Sequence, residues 1–400
     1  MSDWILADGY RFAGIHAGIR PDPARLDLAL VVSDRPAAAA GVFTRNRVRA
    51  APVRVCQERL PRGDARGVVI CSGNANACTG PKGLEDARQM TRVAAEVVGC
   101  REEQMLVCST GVIGRHLPMD KVEPGIRLAG SKLAADRISA ENAARAILTT
   151  DTRIKTASRT LPMPGGPIRL TGLAKGAAMI GPNMATMLSL VMTDAPLRKQ
   201  DAQTALVDAM EESFHCISVD GHMSTNDTVL LLANGAAHQS PAPLTGKALE
   251  DFRTTLFEVC EDLAQSIPAD GEGATHLITV EVHGCRNRPD ALQIGKTIAD
   301  SPLVKTAIAG ADPNWGRIVS AAGYAGVQFD PSKVTLYLNG LLLYERGAPV
   351  DFDGDTVAKS IAADRDTSIV LILEEGKACA RFWTTDLTAE YVRLNADYHT

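Results

Sequence analysis

Four hundred residues, 45% of them hydrophobic and 22% charged with a formal net charge of -5, describe a soluble globular chain longer than one small core needs, so two lobes are expected. No block of five or six lysines and arginines occurs, which argues against a nucleic-acid partner and for a small-molecule one. No apolar run reaches the roughly 18 residues of a membrane span. The opening MSDWILADGYRFAG is acidic and lacks the basic and apolar regions of a secretory signal. The 9 cysteines stand singly with no C-x-x-C pair, a pattern of unpaired thiols that points to a reducing cytoplasm.

Short apolar, β-branched runs predict strands over 26–32, 67–71, 105–109, 168–174, 187–194, 228–235, 276–284, 334–343 and 367–373. Stretches of helical period fall between them at 84–98, 140–148, 199–214, 249–267 and 356–363. Strands and helices interleave in both halves, which predicts an α/β or α+β layered fold but leaves strand order open. The segment LPMPGGP at 161–167 is turn material, either a loop or a boundary between lobes. No internal repeat or low-complexity tail interrupts the chain.

The most informative stretch is KGAAMIGPNMATMLSLVMTD at 175–194, where Thr186 follows a turn-rich segment and precedes an apolar run. A neutral threonine hydroxyl is a poor nucleophile. If the chain is cut between Ala185 and Thr186, the freed α-amine, with an ordinary pKa of about 7.7–8.0, becomes a general base beside that hydroxyl. Gly181, Pro182 and Asn183 favour a tight turn at which an N-to-O acyl shift could begin. The plainer alternative is that Thr186 only opens a buried strand.

Acyl chemistry also needs donors aimed at a developing oxyanion, and the strand at 105–109 runs straight into Thr110 and Gly111, a hydroxyl followed by a glycine amide. Four further polar segments are rich in turn residues: SGNANACTG at 72–80, SVDGHMSTND at 218–227, ADGEGATH at 269–276 and GADPNWGRI at 310–318. Each is either a connecting loop or a wall of a polar pocket for an amino acid. Lys175 and Glu272 read singly as surface charges; together, near one nucleophile, a cation and an anion would suit a zwitterionic substrate. No phosphate-binding loop, dinucleotide fingerprint, H-E-x-x-H or G-x-S-x-G occurs, and His215/His222 and His283/Cys285 are weak as metal-ligand sets.

Several of these segments together resemble the ornithine acetyltransferases, also called glutamate N-acetyltransferases, of arginine biosynthesis: KGAAMIGPNMATML, CSTGVIG, SVDGHMSTNDTVLLLANG, LVKTAIAGADPNWGRI, the terminal NADYHT, AAGVFTRNRVRAAPV and SGNANACTG. The likeness runs in one order over nearly the whole chain. It implies a layered α/β sandwich shared with beta-aminopeptidases. It also implies autocleavage at Ala185/Thr186 into an α chain of residues 1–185 and a β chain of 186–400, which stay together as a heterotetramer of two of each.

In that family's manner Thr186 would take the acetyl group from N-acetylornithine and pass it to glutamate through an acetyl-enzyme, with Thr110 and Gly111 as the oxyanion hole. Thr149, Lys175, Thr186, Glu272, Asn395 and Thr400 match the substrate-contacting positions. The resemblance calls for no metal and no bound cofactor, although acetyl-CoA is a candidate second donor. Three departures stand out: His222-Met223 where Asp-Thr is usual, Ala177-Ala178 in place of Ser-Gly, and Cys71 in place of asparagine. The alternatives are a sibling aminopeptidase or amide hydrolase, in which water takes the acyl group, and an unprocessed scaffold that is not an enzyme.

Overall fold

The computed structural model describes residues 4–181, 187–237 and 242–397. Among them fourteen strands form in chain order: β1 (Tyr10–Ile15), β2 (Leu28–Phe43), β3 (Arg62–Asn74), β4 (Met105–Val112), β5 (Lys155–Leu161), β6 (Ile168–Lys175), β7 (Leu188–Thr193), β8 (Thr228–Ala233), β9 (Leu277–Cys285), β10 (Thr335–Leu338), β11 (Leu341–Glu345), β12 (Ala348–Pro349), β13 (Asp366–Ile372) and β14 (Ala378–Thr385). They make two sheets. The larger runs β4-β3-β2-β8-β7-β6-β5 with β1 added to β2, and the smaller runs β12-β11-β10-β13-β9-β14. The fold is thus layered α/β, as the alternating pattern predicts.

In the larger sheet both faces are covered, and the alternation of side chains assigns them. Ala38, Ala40, Val191, Val229 and Leu231 join one core with Leu206, Phe252, Val259 and Leu263 of the helices Lys199–Glu212 and Gly246–Ser266. Ala37, Ala39, Leu190, Met192, Leu230 and Leu232 point the other way, into a second core with Met90 and Val93 of helix Gly80–Val98 and Ile126 of helix Met119–Ser131. Neighbours in sequence therefore serve opposite cores, as the two-residue period of a strand requires. The first core continues into the smaller sheet through Ile278, Val280, Ile369 and Leu371.

The residue 185/186 junction does not divide the sheets. β7 and β8, which follow it, lie between β2 and β6, which precede it, with β7 antiparallel to β6 and parallel to β8. A chain broken there would still be held by two complete strand ladders.

Every strand expected from the sequence forms, the run 334–343 as the hairpin β10–β11 turning at Asn339-Gly340. The segment 161–167 links β5 to β6, an antiparallel pair in one sheet, so it is a hairpin loop and no lobe boundary. Strands the sequence hides are β1, β5, the two-residue β12, β14 and the far half of β2. The last is built on Ala37–Ala40, poor strand formers in isolation that succeed where β3 and β8 flank them.

Candidate active site

A cavity of about 510 Å³ opens where the larger sheet meets the loop following helix Gly246–Ser266 and the C-terminal helix Ala389–Asp397. That volume suits an amino-acid derivative. Thr110, Gly111, Thr149, Lys175, Glu272 and Asn395 all line it, although they come from five separate stretches of chain. Thr186 and Ala185, and the terminal Thr400, lie outside the described residues.

Strand β4 delivers Thr110 and strand β6 delivers Lys175, both almost fully buried. The Lys175 ammonium donates to Thr110 Oγ1 at 3.3 Å. An ammonium has no lone pair to offer, so the threonine's own proton remains available to the cavity. Gly111 follows with φ of +133°, and a Cβ on it would lie 2.3 Å from the Gly73 carbonyl carbon and 2.5 Å from the Asn74 nitrogen. Only glycine fits there, directly after the Thr110 hydroxyl.

The Glu272 backbone amide donates to the Ala177 carbonyl at 2.9 Å, tying the 269–276 loop to the segment that leads toward residue 186. Asn395 donates to Glu272 Oε2 at 2.9 Å and so orients the carboxylate. Burial lowers the Lys175 pKa, and the nearby Asp151 carboxylate raises it part of the way back. The cavity is thus lined by one buried cation, Lys175, and by the carboxylates of Glu272 and Asp220.

Four residues of consequence escape a sequence reading. Asp220 accepts the amides of Met179 at 2.6 Å and Ile180 at 2.9 Å, and the Tyr391 hydroxyl at 3.1 Å. It therefore pins both the approach to residue 186 and the C-terminal helix. Next to it the Ile180 carbonyl takes three amides, from Val219, Asp220 and Gly221. Lys305, in LVKTAIAG, is buried and donates to the Val219 carbonyl at 2.6 Å, so that motif supports the 218–221 loop from behind; burial pushes its pKa down to about 8.

Asp227 accepts the amide of Met187 at 3.0 Å, and its Oδ2 finds no hydrogen-bond partner among the described residues. Burial pushes this carboxyl up to about 8, with the Met187 amide and Lys175 pulling the other way. A carboxyl held protonated by folding stabilises the fold fully below the pKa of an unfolded aspartate, and that stability is lost as pH rises through about 8. This carboxyl's contribution to thermal stability should accordingly decline from about pH 4 to about pH 8 and level off above, and Asp227→Asn should flatten that decline. An unchanged decline over that range in melting scans of the variant would remove Asp227 as its source.

The other polar segments divide. His222 and Ser224 face the cavity, so the imidazole at the first departure position is within reach of a ligand, while Met223 is not among the lining residues and its carbonyl accepts from Asn46. In SGNANACTG the amides are spent internally: Asn74 donates to the His116 carbonyl and Asn76 to the Gly83 carbonyl, and only Ala75 borders the cavity. Cys71 is buried against Ser109 Oγ, its thiol pushed up to about 12 by burial, and is a core residue. The 310–318 segment does not line the cavity; it caps and begins helix Trp315–Gly323, whose Trp315 stacks on Tyr344.

The ArgJ family model matches residues 11–400. The chain belongs to the ArgJ family. The protein called arginine biosynthesis bifunctional protein ArgJ in Rhodopirellula baltica is 44% identical over 397 residues, covering 99% of this chain and 97% of that one. Its counterpart in Symbiobacterium thermophilum is 45% identical over 394 residues, with 98% and 97% covered. Among solved structures, the protein of that name from Bacillus halodurans is 39% identical with a TM-score of 0.52, covering 53% of this chain and 100% of that chain. No helix among the described residues of this ArgJ-family chain is long and apolar enough to cross a membrane.

Proposed function

We propose that this chain is an acetyltransferase of arginine biosynthesis that moves an acetyl group from N-acetylornithine to glutamate through an acetylated Thr186. The observation that carries the reading is the convergence on one cavity of Thr110 and Gly111 with the buried Lys175 and the Glu272 carboxylate. Donor and acceptor share an α-amino-acid head, so one such pocket serves both half-reactions. Lys175 suits the substrate carboxylate and Glu272 the substrate amine.

Processing comes first. The Thr186 hydroxyl attacks the Ala185 carbonyl and the Ala185–Thr186 amide bond breaks, which moves the acyl group to oxygen and frees the threonine amine; water then hydrolyses the ester, releasing the Ala185 carboxylate and restoring the hydroxyl, whose proton the amine accepts in each acetyl transfer. Residues 1–185 form the α chain and 186–400 the β chain, two of each in the assembly. The two strand ladders across the junction support continued association. A solved relative matched over its whole length by 53% of this chain has about the share that residues 186–400 hold, 215 of 400, which supports the same division.

The enzyme works in the cytoplasm without a metal or bound cofactor. Acetyl-CoA is a second acetyl donor, a reading supported by the word bifunctional in the names of its relatives.

An acceptor assay tests the reaction class. Steady release of ornithine from N-acetylornithine should require glutamate, and glutamate should likewise drive thiol release when acetyl-CoA replaces the donor. Consumption of N-acetylornithine at one rate with or without glutamate would make the protein a hydrolase instead.

A further inference from the structure

One buried ionic cluster underlies the cavity without lining it. Lys155, the first residue of β5, is fully buried and places Nζ 2.6 Å from Asp151 Oδ1 and 2.6 Å from Asp270 Oδ2. Asp151 is shared further: Oδ1 also accepts the Gly176 amide at 2.6 Å, and Oδ2 accepts the Thr149 amide at 3.0 Å. Asp270 accepts the Thr152 amide at 3.1 Å and the Thr152 hydroxyl, two residues before Glu272. The cluster therefore touches Gly176, the immediate neighbour of Lys175, and Thr149 itself, and includes Asp270, two residues before Glu272.

Taking three charges out of water costs more than their mutual attraction returns unless the geometry is well satisfied, so a cluster like this calls for a role beyond stability. The titratable and charged groups facing Lys175 are Asp151, which favours its cation, Lys155 and Arg20, which oppose it, and Asp227, whose raised carboxyl favours it only once ionised. Asp151 is the largest of the four. Burial raises the Asp151 carboxyl, but Lys175, Lys155 and the Gly176 amide together hold it well below the usual carboxylate range, so it is ionised wherever the enzyme is folded and active.

We propose that Asp151 is the positioning residue of this site: through one carboxylate it sets the Thr149 backbone and the Lys175–Gly176 turn and supplies the counter-charge that lets Lys175 act as the substrate-carboxylate cation, with Lys155 relaying it to the Asp270–Glu272 loop. The inference rests on the acetyltransferase reading above and adds a residue to it that does not touch substrate. It also makes Lys155–Asp270 a buried ion pair between the segments on either side of residue 186.

The test compares Asp151→Asn, Asp270→Asn and Asp151→Glu with wild type in the full chain, by KM, kcat and pH profile with N-acetylornithine and glutamate. Asp151→Asn keeps an acceptor for the Thr149 amide but removes the charge. Its KM should rise roughly ten- to a hundredfold with a smaller change in kcat, and the alkaline limb of kcat/KM should move to lower pH. Asp270→Asn should lose thermal stability without that displacement, since its carboxylate is not among the charges that set Lys175. Asp151→Glu, which keeps the charge but misplaces it, should raise KM with the limb unmoved.

If Asp151→Asn does not fold, Asp151→Glu decides alone, and an unchanged KM there overturns the proposal. Equal limbs in wild type and Asp151→Asn overturn it as well. A wild type that transfers no acetyl group at all would reject the underlying activity rather than the role of Asp151.

Discussion

Thr186→Ala should leave the 400-residue chain whole and acetyl transfer lost, with kcat reduced on the order of 10⁶-fold, the scale reached when another acyl-transfer enzyme loses its nucleophile. The size follows from two losses at one position. Without the hydroxyl there is nothing to attack the Ala185 carbonyl, so the amine that would act as base never appears. Nor is there an oxygen to carry the acetyl group. Thr186→Ser keeps both functions and should still cleave and transfer, more slowly. The sheet survives either change, because the ladders of β7 with β6 and of β8 with β2 lie beyond the substituted residue. Denaturing electrophoresis and a glutamate-dependent ornithine assay read the two losses separately. A Thr186→Ala protein that transfers acetyl groups at a normal rate would end the nucleophile assignment.

Thr110→Val should slow acylation by roughly 10²–10³ in kcat, about 3–4 kcal/mol of barrier, while leaving KM close to wild type. Valine matches the shape and strand preference of threonine at the end of β4. What is removed is one O–H donor that strengthens its contact as negative charge builds on the acetyl oxygen. The Lys175 ammonium, which donates to Thr110 Oγ1 at 3.3 Å, loses its acceptor in the same step, so Thr110→Ser should restore most of the rate. Single-turnover acylation by N-acetylornithine is the direct readout. A near-normal rate in the valine variant would place the oxyanion elsewhere.

How much of this was legible in the sequence differs between the skeleton and the wiring. Continuous apolar runs such as 228–235 reveal strands because a strand covered on both faces has no polar side to break the run. The far half of β2 stays hidden for the opposite reason: four alanines carry no β signal until β3 and β8 close on them and helices pack over their small side chains. In the site, Thr110, Gly111, Lys175 and Glu272 could be picked out because a hydroxyl-glycine pair at a strand end and lone charges in turn segments have chemical meaning locally. The family likeness added Thr149 and Asn395, which carry no such local signal.

Asp151 was marked by neither route, and Asp220 and Asp227, although inside the 218–227 segment, carried no sign of their individual roles. Each looks like an ordinary loop aspartate, and its importance comes from partners far along the chain: Asp270 through Lys155, Tyr391, and Lys175. The motif at 310–318 errs the other way, dense in polar residues yet folded into a helix start away from the cavity.

The central claim is that the threonine following the break at residue 185 carries the acetyl group. Mass analysis of wild-type protein incubated with N-acetylornithine and no glutamate addresses it directly. A fragment beginning at Thr186 should bear a single acetyl group, located on that residue by peptide mapping and discharged on adding glutamate. An unbroken chain that turns over, or turnover with the acetyl group never recovered on that fragment, would contradict it.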